Sequence, residues 1–216
     1  MNNYIITVAR GFGSCGKTIA DTLAQRLGIQ CYENRILALA SQLGSIDEHL
    51  ISDADERLHG GFIGEKLRSI PHTLKLIPVE KKFESDQRIF DLQADIIQQL
   101  ADTESCVIVG KCADFILKNR PNVISIYIEA SREFCIHHIL SKDPSLTEKQ
   151  ADKLITKTDK YRSDYYKYYT GGHQWRLPIN YDMTLNSEKM GIDICVEMII
   201  DYLQKRGFIS NTENMR

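Results

Sequence analysis

The sequence predicts an α/β protein, a three-layer α/β/α fold around a five-stranded parallel sheet, on three observations. Five short apolar runs occur at residues 4–9, 29–32, 106–109, 123–128 and 181–185. Longer stretches with helical spacing separate them. Between the first run and the first helix lies Gly11–Phe12–Gly13–Ser14–Cys15–Gly16–Lys17–Thr18, which fits the phosphate-binding pattern G-x-x-x-x-G-K-[ST] of a P-loop. Right-handed crossovers would place helices on both faces of such a sheet and a bound nucleotide at the C-terminal edge of its strands.

The octet is made of the residue types its chemistry needs. Gly11, Gly13 and Gly16 let the backbone turn so that successive N–H groups face one anion, with Ser14 and Cys15 contributing backbone within the same turn. The helix beginning near Lys17 adds its positive end. Lys17 is expected to reach the β- and γ-phosphates of ATP, and the Thr18 hydroxyl to ligate Mg²⁺.

The other elements follow in order. Residues 4–9 read as a strand buried on both faces, and 106–109 as flat and apolar throughout. Ile19, Ala20, Leu23, Ala24 and Leu27 form one helical face, closed by Gly28. Residues 34–43 read as a helix stopped by Gly44. Residues 45–82 are charged and carry Gly60, Gly61, Gly64, Pro71 and Pro78, so short helices with a flexible stretch near 59–75 are expected. An amphipathic helix follows over 80–100, and another after the fourth strand, over 132–140. Thr147–Glu148–Lys149–Gln150 is a capping-box pattern that opens a charged, tyrosine-rich helix to residue 169, broken by Gly171–Gly172. The last helix, 192–205, is expected to bury Ile194, Cys195, Met198, Ile199 and Leu203.

Length and composition narrow the functional classes. With 216 residues the chain reads as one domain, its core at 1–44 and 101–206, an acceptor-binding insert at about 45–100 and a helical lid at about 147–176. A hydrophobic content of 43 % supports a full core. The net charge of −2 argues against nucleic acid or an acidic membrane surface as partner. Six cysteines without a C-x-x-C pair fit a reducing cytoplasm rather than a zinc site or disulfide framework. No stretch reads as a signal peptide or a membrane span. No N-K-x-D-like guanine motif is present, and the 106–109 strand is followed by Gly110–Lys111 rather than the Asp a motor or transporter ATPase would use. A small-molecule kinase with an acceptor-binding insert and a closing lid fits better.

Several segments together resemble the cytidylate kinase-like family. They are residues 5–16, Leu27–Gly28–Ile29 with Tyr32–Glu33, Val107–Ile108–Val109–Gly110–Lys111–Cys112–Ala113–Asp114, Asp159–Lys160–Tyr161–Arg162, Tyr165–Tyr166–Lys167–Tyr168–Tyr169–Thr170–Gly171, and Asn180–Tyr181–Asp182 with Leu185–Asn186–Ser187. The resemblance spans about residues 4–204 and implies phosphoryl transfer from MgATP to a nucleoside monophosphate, CMP being the family's namesake acceptor. The chain departs from the family pattern at three places. Lys111 stands where Arg is usual, exchanging a bidentate contact for a point charge. Glu33 stands where Asp is frequent, and Lys17 where many members carry Arg. The R-D-x-x-D-x-x-R lid of true cytidylate kinases is also not reproduced, Arg162 being the one arginine of residues 159–164.

Candidate roles follow. Lys17, Arg162, Lys160 and Arg132 are the cations that could act on the transferring phosphoryl group. For Lys160 and Arg162 a solvated face with Lys157 and Lys167 is an equal alternative, and for Arg132 an ion pair with Glu129 or Glu133. The tyrosines of the late helix could stack on a base, although spacings of three and four favour packing. Glu33, Arg88, Gln93, Lys111 and Asp114 are placed on the acceptor side; a surface role is equally open for Arg88, and for Asp114 a water-mediated hold on Mg²⁺ is the other functional role, with a cap or a salt bridge to Lys111 or Lys118 equally open. Asn186 and Ser187 fall where the adenine edge meets backbone. The Cys15 side chain is expected to point away from the ligand. A second function class stays open: a nucleotide-binding regulatory protein without efficient turnover. So does a kinase whose acceptor is a non-nucleotide hydroxyl compound. The oligomeric state is not specified, a homodimer being one arrangement the sequence allows.

Overall fold

The computed structural model describes residues 3–33, 36 and 86–210. The helix expected over 34–43 and the irregular insert lie almost wholly outside these residues, as does the start of the 80–100 helix. Five strands form one parallel sheet: β1 (Ile5–Arg10), β2 (Gln30–Tyr32), β3 (Cys106–Val109), β4 (Val123–Glu129) and β5 (Met183–Asn186), in the order β2-β3-β1-β4-β5. Ile5 lies level with Cys106 on one side and Val123 on the other, which puts β1 at the centre.

Among the described residues six α-helices surround the sheet: α1 (Gly16–Leu27), α2 (Asp86–Thr103), α3 (Ala113–Ile116), α4 (Arg132–Lys142), α5 (Glu148–Tyr169) and α6 (Ser187–Lys205). Because side chains alternate along a strand, β1 serves both faces. Ile6 and Val8 pack with Ile19 and Leu23 of α1 and Val196, Ile199 and Leu203 of α6. Ile5 packs the other way, with Ile96, Ile97 and Leu100 of α2 and Leu117 beyond α3. The result is a three-layer α/β/α sandwich.

Local signals set most element ends. Gly28, in the left-handed region, closes α1 and donates its N–H to the carbonyls of α1's last turn. The capping box at Thr147 is fully formed: Gln150 N–H donates to Thr147 Oγ1, and Gln150 Oε1 accepts from Thr147 N–H.

Two expectations need correction. The last strand is Met183–Asn186, not 181–185, because Asp182 ties the strand's entry to β4: its carboxylate accepts from Ser125 N–H at 2.7 Å, and its own N–H donates to Ser125 O at 2.8 Å. The last helix starts at Ser187, capped by the Asn186 side chain, and continues across a non-helical Gly191. Ile194 and Met198 are not buried but 52 % and 43 % exposed, because the helix turns Cys195, Val196 and Ile199 to the sheet instead.

Candidate phosphate-binding site

The site lies where chain connectivity reverses about β1, at the C-terminal ends of the strands. Gly11 N–H donates to Ile128 O at 3.0 Å, extending the β1–β4 ladder into the loop. Ser14 is buried, its hydroxyl within hydrogen-bond distance of Gly11 O at 2.9 Å and Ile128 O at 3.2 Å. Ser187 is buried too, its hydroxyl 2.7 Å from Ser14 O and 3.1 Å from Glu129 O. These two serines shape the loop through its carbonyls, so the role of Ser187 comes from its side chain on the loop. Asn186 spends its side chain on the N–H groups of Glu188 and Lys189, capping α6.

Gly13 has φ +85, and a Cβ there would sit 2.9 Å from Cys135 Cβ and the Cys135 carbonyl oxygen, so α4 approaches the loop too closely for any side chain. Cys15 adopts φ 58 and turns its buried Sγ toward His138 Nδ1 of α4 at 3.6 Å. Burial raises its thiol pKa.

Lys17 and Thr18 are exposed at the first turn of α1. Lys17 Nζ pairs with Asp21 one turn on and lies 3.9 Å from Glu33. Burial opposes its charge, but the hydrogen bond to Asp21 and the charge of Glu33 outweigh it and raise its pKa. Among the described residues no group of three or more His, Cys, Asp or Glu converges as a metal site. A Mg²⁺ held by one hydroxyl and phosphate oxygens needs no such group, and the exposed Thr18 fits that requirement.

The sequence reading missed Arg10, the last residue of β1. Its guanidinium crosses Gly110 and ion-pairs with Glu33 at the end of β2. A Cβ on Gly110, at φ +73, would overlap that guanidinium. Arg162 of α5 donates to Arg10 O at 3.0 Å and lies 5.6 Å over the Phe12 ring. It does not belong to a solvated face, because its side chain is only 13 % exposed. Burial and the neighbouring Arg10 lower its pKa to about 9, with Asp159 3.9 Å away as partial compensation. Asp159 accepts from Phe12 N–H at 2.8 Å and also pairs with Arg176, a second residue the sequence did not single out.

The other candidate cations point elsewhere. Lys160 pairs with Asp164 at 2.6 Å and is well exposed. Arg132 pairs with Asp152 at 2.8 Å and also reaches Thr156, neither Glu129 nor Glu133, because α5 packs beside the start of α4. Tyr165 and Tyr169 pack on Phe90 of α2, with Tyr169 stacked at 4.0 Å.

On the acceptor side, Gly110, Lys111 and Cys112 are three successive left-handed residues after β3, and α3 begins there. Asp114 is buried. It accepts the Tyr166 hydroxyl at 2.7 Å, with backbone N–H groups of Asp114 and Phe115 also bonded to it, and burial raises its pKa to about 6. Gln93 of α2 is buried, and its Oε1 has no hydrogen-bond partner among the described residues. Arg88 is half-buried on the same helix.

Comparison with known proteins agrees with this geometry. An uncharacterized protein from Eubacterium ventriosum superposes with TM-score 0.68 at 26 % identity, covering 94 % of this chain and 99 % of its own. Shikimate kinase from Acinetobacter baumannii, solved with shikimate, superposes with TM-score 0.51 at 10 % identity over 96 % of each chain, a likeness of fold. No functionally curated protein matches. The sequence profile of the cytidylate kinase-like family matches residues 5–189, so the chain belongs to that family and is a P-loop kinase by fold.

Proposed function

We propose that this protein is an ATP-dependent small-molecule kinase whose acceptor is a nucleoside monophosphate. The observation that carries the reading is the buried Arg162 beside Arg10 over the glycine loop, with charge that Asp159 and Glu33 only partly offset. A buried cation short of countercharge is costly, and a polyphosphate supplies the missing charge. The loop amides and Lys17 would hold the β- and γ-phosphates. Lys17 would exchange Asp21 for phosphate at little cost, because the pair is about half exposed. Mg²⁺, held by Thr18 and phosphate oxygens, would neutralise charge on the transferring group.

In the reaction the bond from the γ-phosphorus to the β–γ bridging oxygen breaks. A bond forms to the acceptor oxygen, and ADP leaves. Arg162, already desolvated and positioned, would stabilise the charge that spreads over the phosphoryl oxygens. A phosphate acceptor needs no strong base, and the Arg10–Glu33 pair and Lys111 lie at the adjoining strand ends where its own phosphate would dock. The buried Gln93 oxygen supports recognition of an acceptor group that donates a hydrogen bond, such as a base amine.

A panel of nucleoside monophosphates, nucleosides and small hydroxyl compounds, each with MgATP, tests the proposal. Product from a monophosphate that disappears in Lys17→Ala supports it. Tight MgATP binding with no product from any acceptor favours instead a nucleotide-binding regulator, a reading to which the poor match to the cytidylate kinase lid lends weight.

A further inference from the structure

Cations around the loop differ in their freedom to move. Arg162 is buried and donates to a backbone carbonyl of β1. Arg132 bridges α4 to α5 through Asp152 and Thr156. Lys160 points to solvent with Asp164. Arg176 combines an exposed side chain with a fixed base. It is 59 % exposed, yet the residue before it, Trp175, is buried edge-on against Tyr127 of β4 at 5.6 Å. The Tyr181 hydroxyl donates to Trp175 O at 2.6 Å, so the backbone next to Arg176 is held, while its guanidinium, at the exposed end of the side chain, meets Asp159, Tyr127 and the Trp175 ring.

That guanidinium rests on Asp159, the carboxylate whose other oxygen holds the Phe12 N–H of the phosphate loop. Arg176 therefore waits one carboxylate away from the loop. The arginine and any phosphate in the loop attract each other, whereas Asp159 and that phosphate repel. Only the arginine of this pair is exposed, and the buried Asp159 keeps the Phe12 N–H and the nearby Arg162 as partners when Arg176 leaves. A multiply charged anion in the loop is the stronger partner, and Arg can meet phosphate oxygens in bidentate fashion.

We propose that Arg176 is this site's mobile phosphate-binding arginine, parked on Asp159 at rest and transferred to the terminal phosphoryl group when a nucleoside triphosphate fills the loop. The inference rests on the kinase reading above and deepens it. It supplies from outside the α5 helix a cation that residues 159–164 do not provide. Asp159 acts as a positioning residue, fixing the loop through Phe12 and storing the arginine until the ligand arrives.

Calorimetric titration of the full chain with MgATP and with MgADP tests the exchange, since the two ligands differ by the group Arg176 is assigned to. Arg176→Ala is expected to weaken MgATP at least tenfold and to change MgADP less than twofold, with an unaltered urea midpoint. Arg176→Lys is expected to recover part of the loss, which a purely structural role would not produce. Asp159→Asn keeps an acceptor for Phe12 N–H while releasing the arginine, and is expected to tighten MgATP at least threefold. An unchanged ratio of the two affinities in Arg176→Ala overturns the inference and leaves the kinase reading intact. Wild-type protein that binds neither nucleotide overturns both.

Discussion

Arg162→Met separates what this arginine does for the site from what it does to the fold. In the folded protein the guanidinium is removed from water and placed beside Arg10, which lowers its pKa from the ordinary arginine range to about 9. By linkage that difference is an electrostatic cost of about 5 kcal/mol to keep the charge at neutral pH. Methionine fills similar space, suits the α5 helix and removes that cost. Two contacts are lost. Arg10 O loses its donor, worth about 2 kcal/mol at a buried acceptor, and the Phe12 ring loses its cation, worth about 1 kcal/mol. Asp159 is not orphaned, because Phe12 N–H and Arg176 remain. The balance is a variant more stable by about 2 kcal/mol, within the range seen when buried charges are replaced by apolar side chains. Urea unfolding at pH 7 measures it, and phosphoryl transfer is expected to fall at least a hundredfold in the same variant. The sign with pH is fixed as well. A base whose folded pKa is lowered destabilises the fold below about pH 9, and this is relieved as pH rises above 9 toward the ordinary arginine range, so the variant's advantage shrinks there. A variant destabilised by more than about 1 kcal/mol would refute the charge argument.

Other consequences follow from the same geometry. Lys17→Ala should change stability by less than about 0.5 kcal/mol, since its ion pair with Asp21 is about half exposed, but abolish MgATP binding by titration. Asp114, with its folded pKa raised from 3.8 to about 6, favours the fold most when protonated; wild type should lose about 3 kcal/mol between pH 3.8 and 7.5 at this residue. Asp114→Asn can still accept the Tyr166 hydroxyl and should lack that loss, which urea unfolding across this range would show. Gly13→Ala should destabilise by about 2–4 kcal/mol, from its left-handed backbone and the clash with Cys135 on α4, and should abolish nucleotide binding.

The sheet was legible because its signal is local. Cys106–Val109 is apolar at every position and forms a strand with those bounds, and Thr147–Gln150 carries its own cap. The left-handed turn at Gly110–Cys112 was not, because Lys and Cys carry no preference for positive φ; the connection between β3 and α3 imposes it. The α6 start was missed because Gly191 interrupts the periodicity that was read from residue 192 onward. The charge cluster was the least legible part. Arg162 meets the β1 carbonyl 152 positions away and Asp159 meets Phe12 147 positions away, so only the fold brings them together. Arg10 carried one usable clue, a cation ending an otherwise apolar strand directly before the glycine loop.

The two halves of the site are built with different stiffness, which sets the order of events on binding. The loop is fastened from below: buried Ser14 and Ser187 tie it to the carbonyls at the end of β4, with neither hydroxyl open to competition from water. Breaking such contacts would leave buried acceptors unmatched, so the loop keeps its shape without ligand, and a polyphosphate does not have to order it. The α5 helix and the segment after it are joined to the loop and α4 differently. Some of those links are buried, with Ala151 and Ile155 against Cys135 and Ile139 and Asp159 on the Phe12 N–H, and others are ion pairs with an exposed member, Arg176 to Asp159 and Arg132 to Asp152. The exposed Arg132–Asp152 pair is worth at most about 1 kcal/mol and is weakened by salt. A nucleotide therefore meets a preformed cradle and rearranges only exposed charges. Salt should accordingly weaken the Arg132–Asp152 pair before it alters the loop.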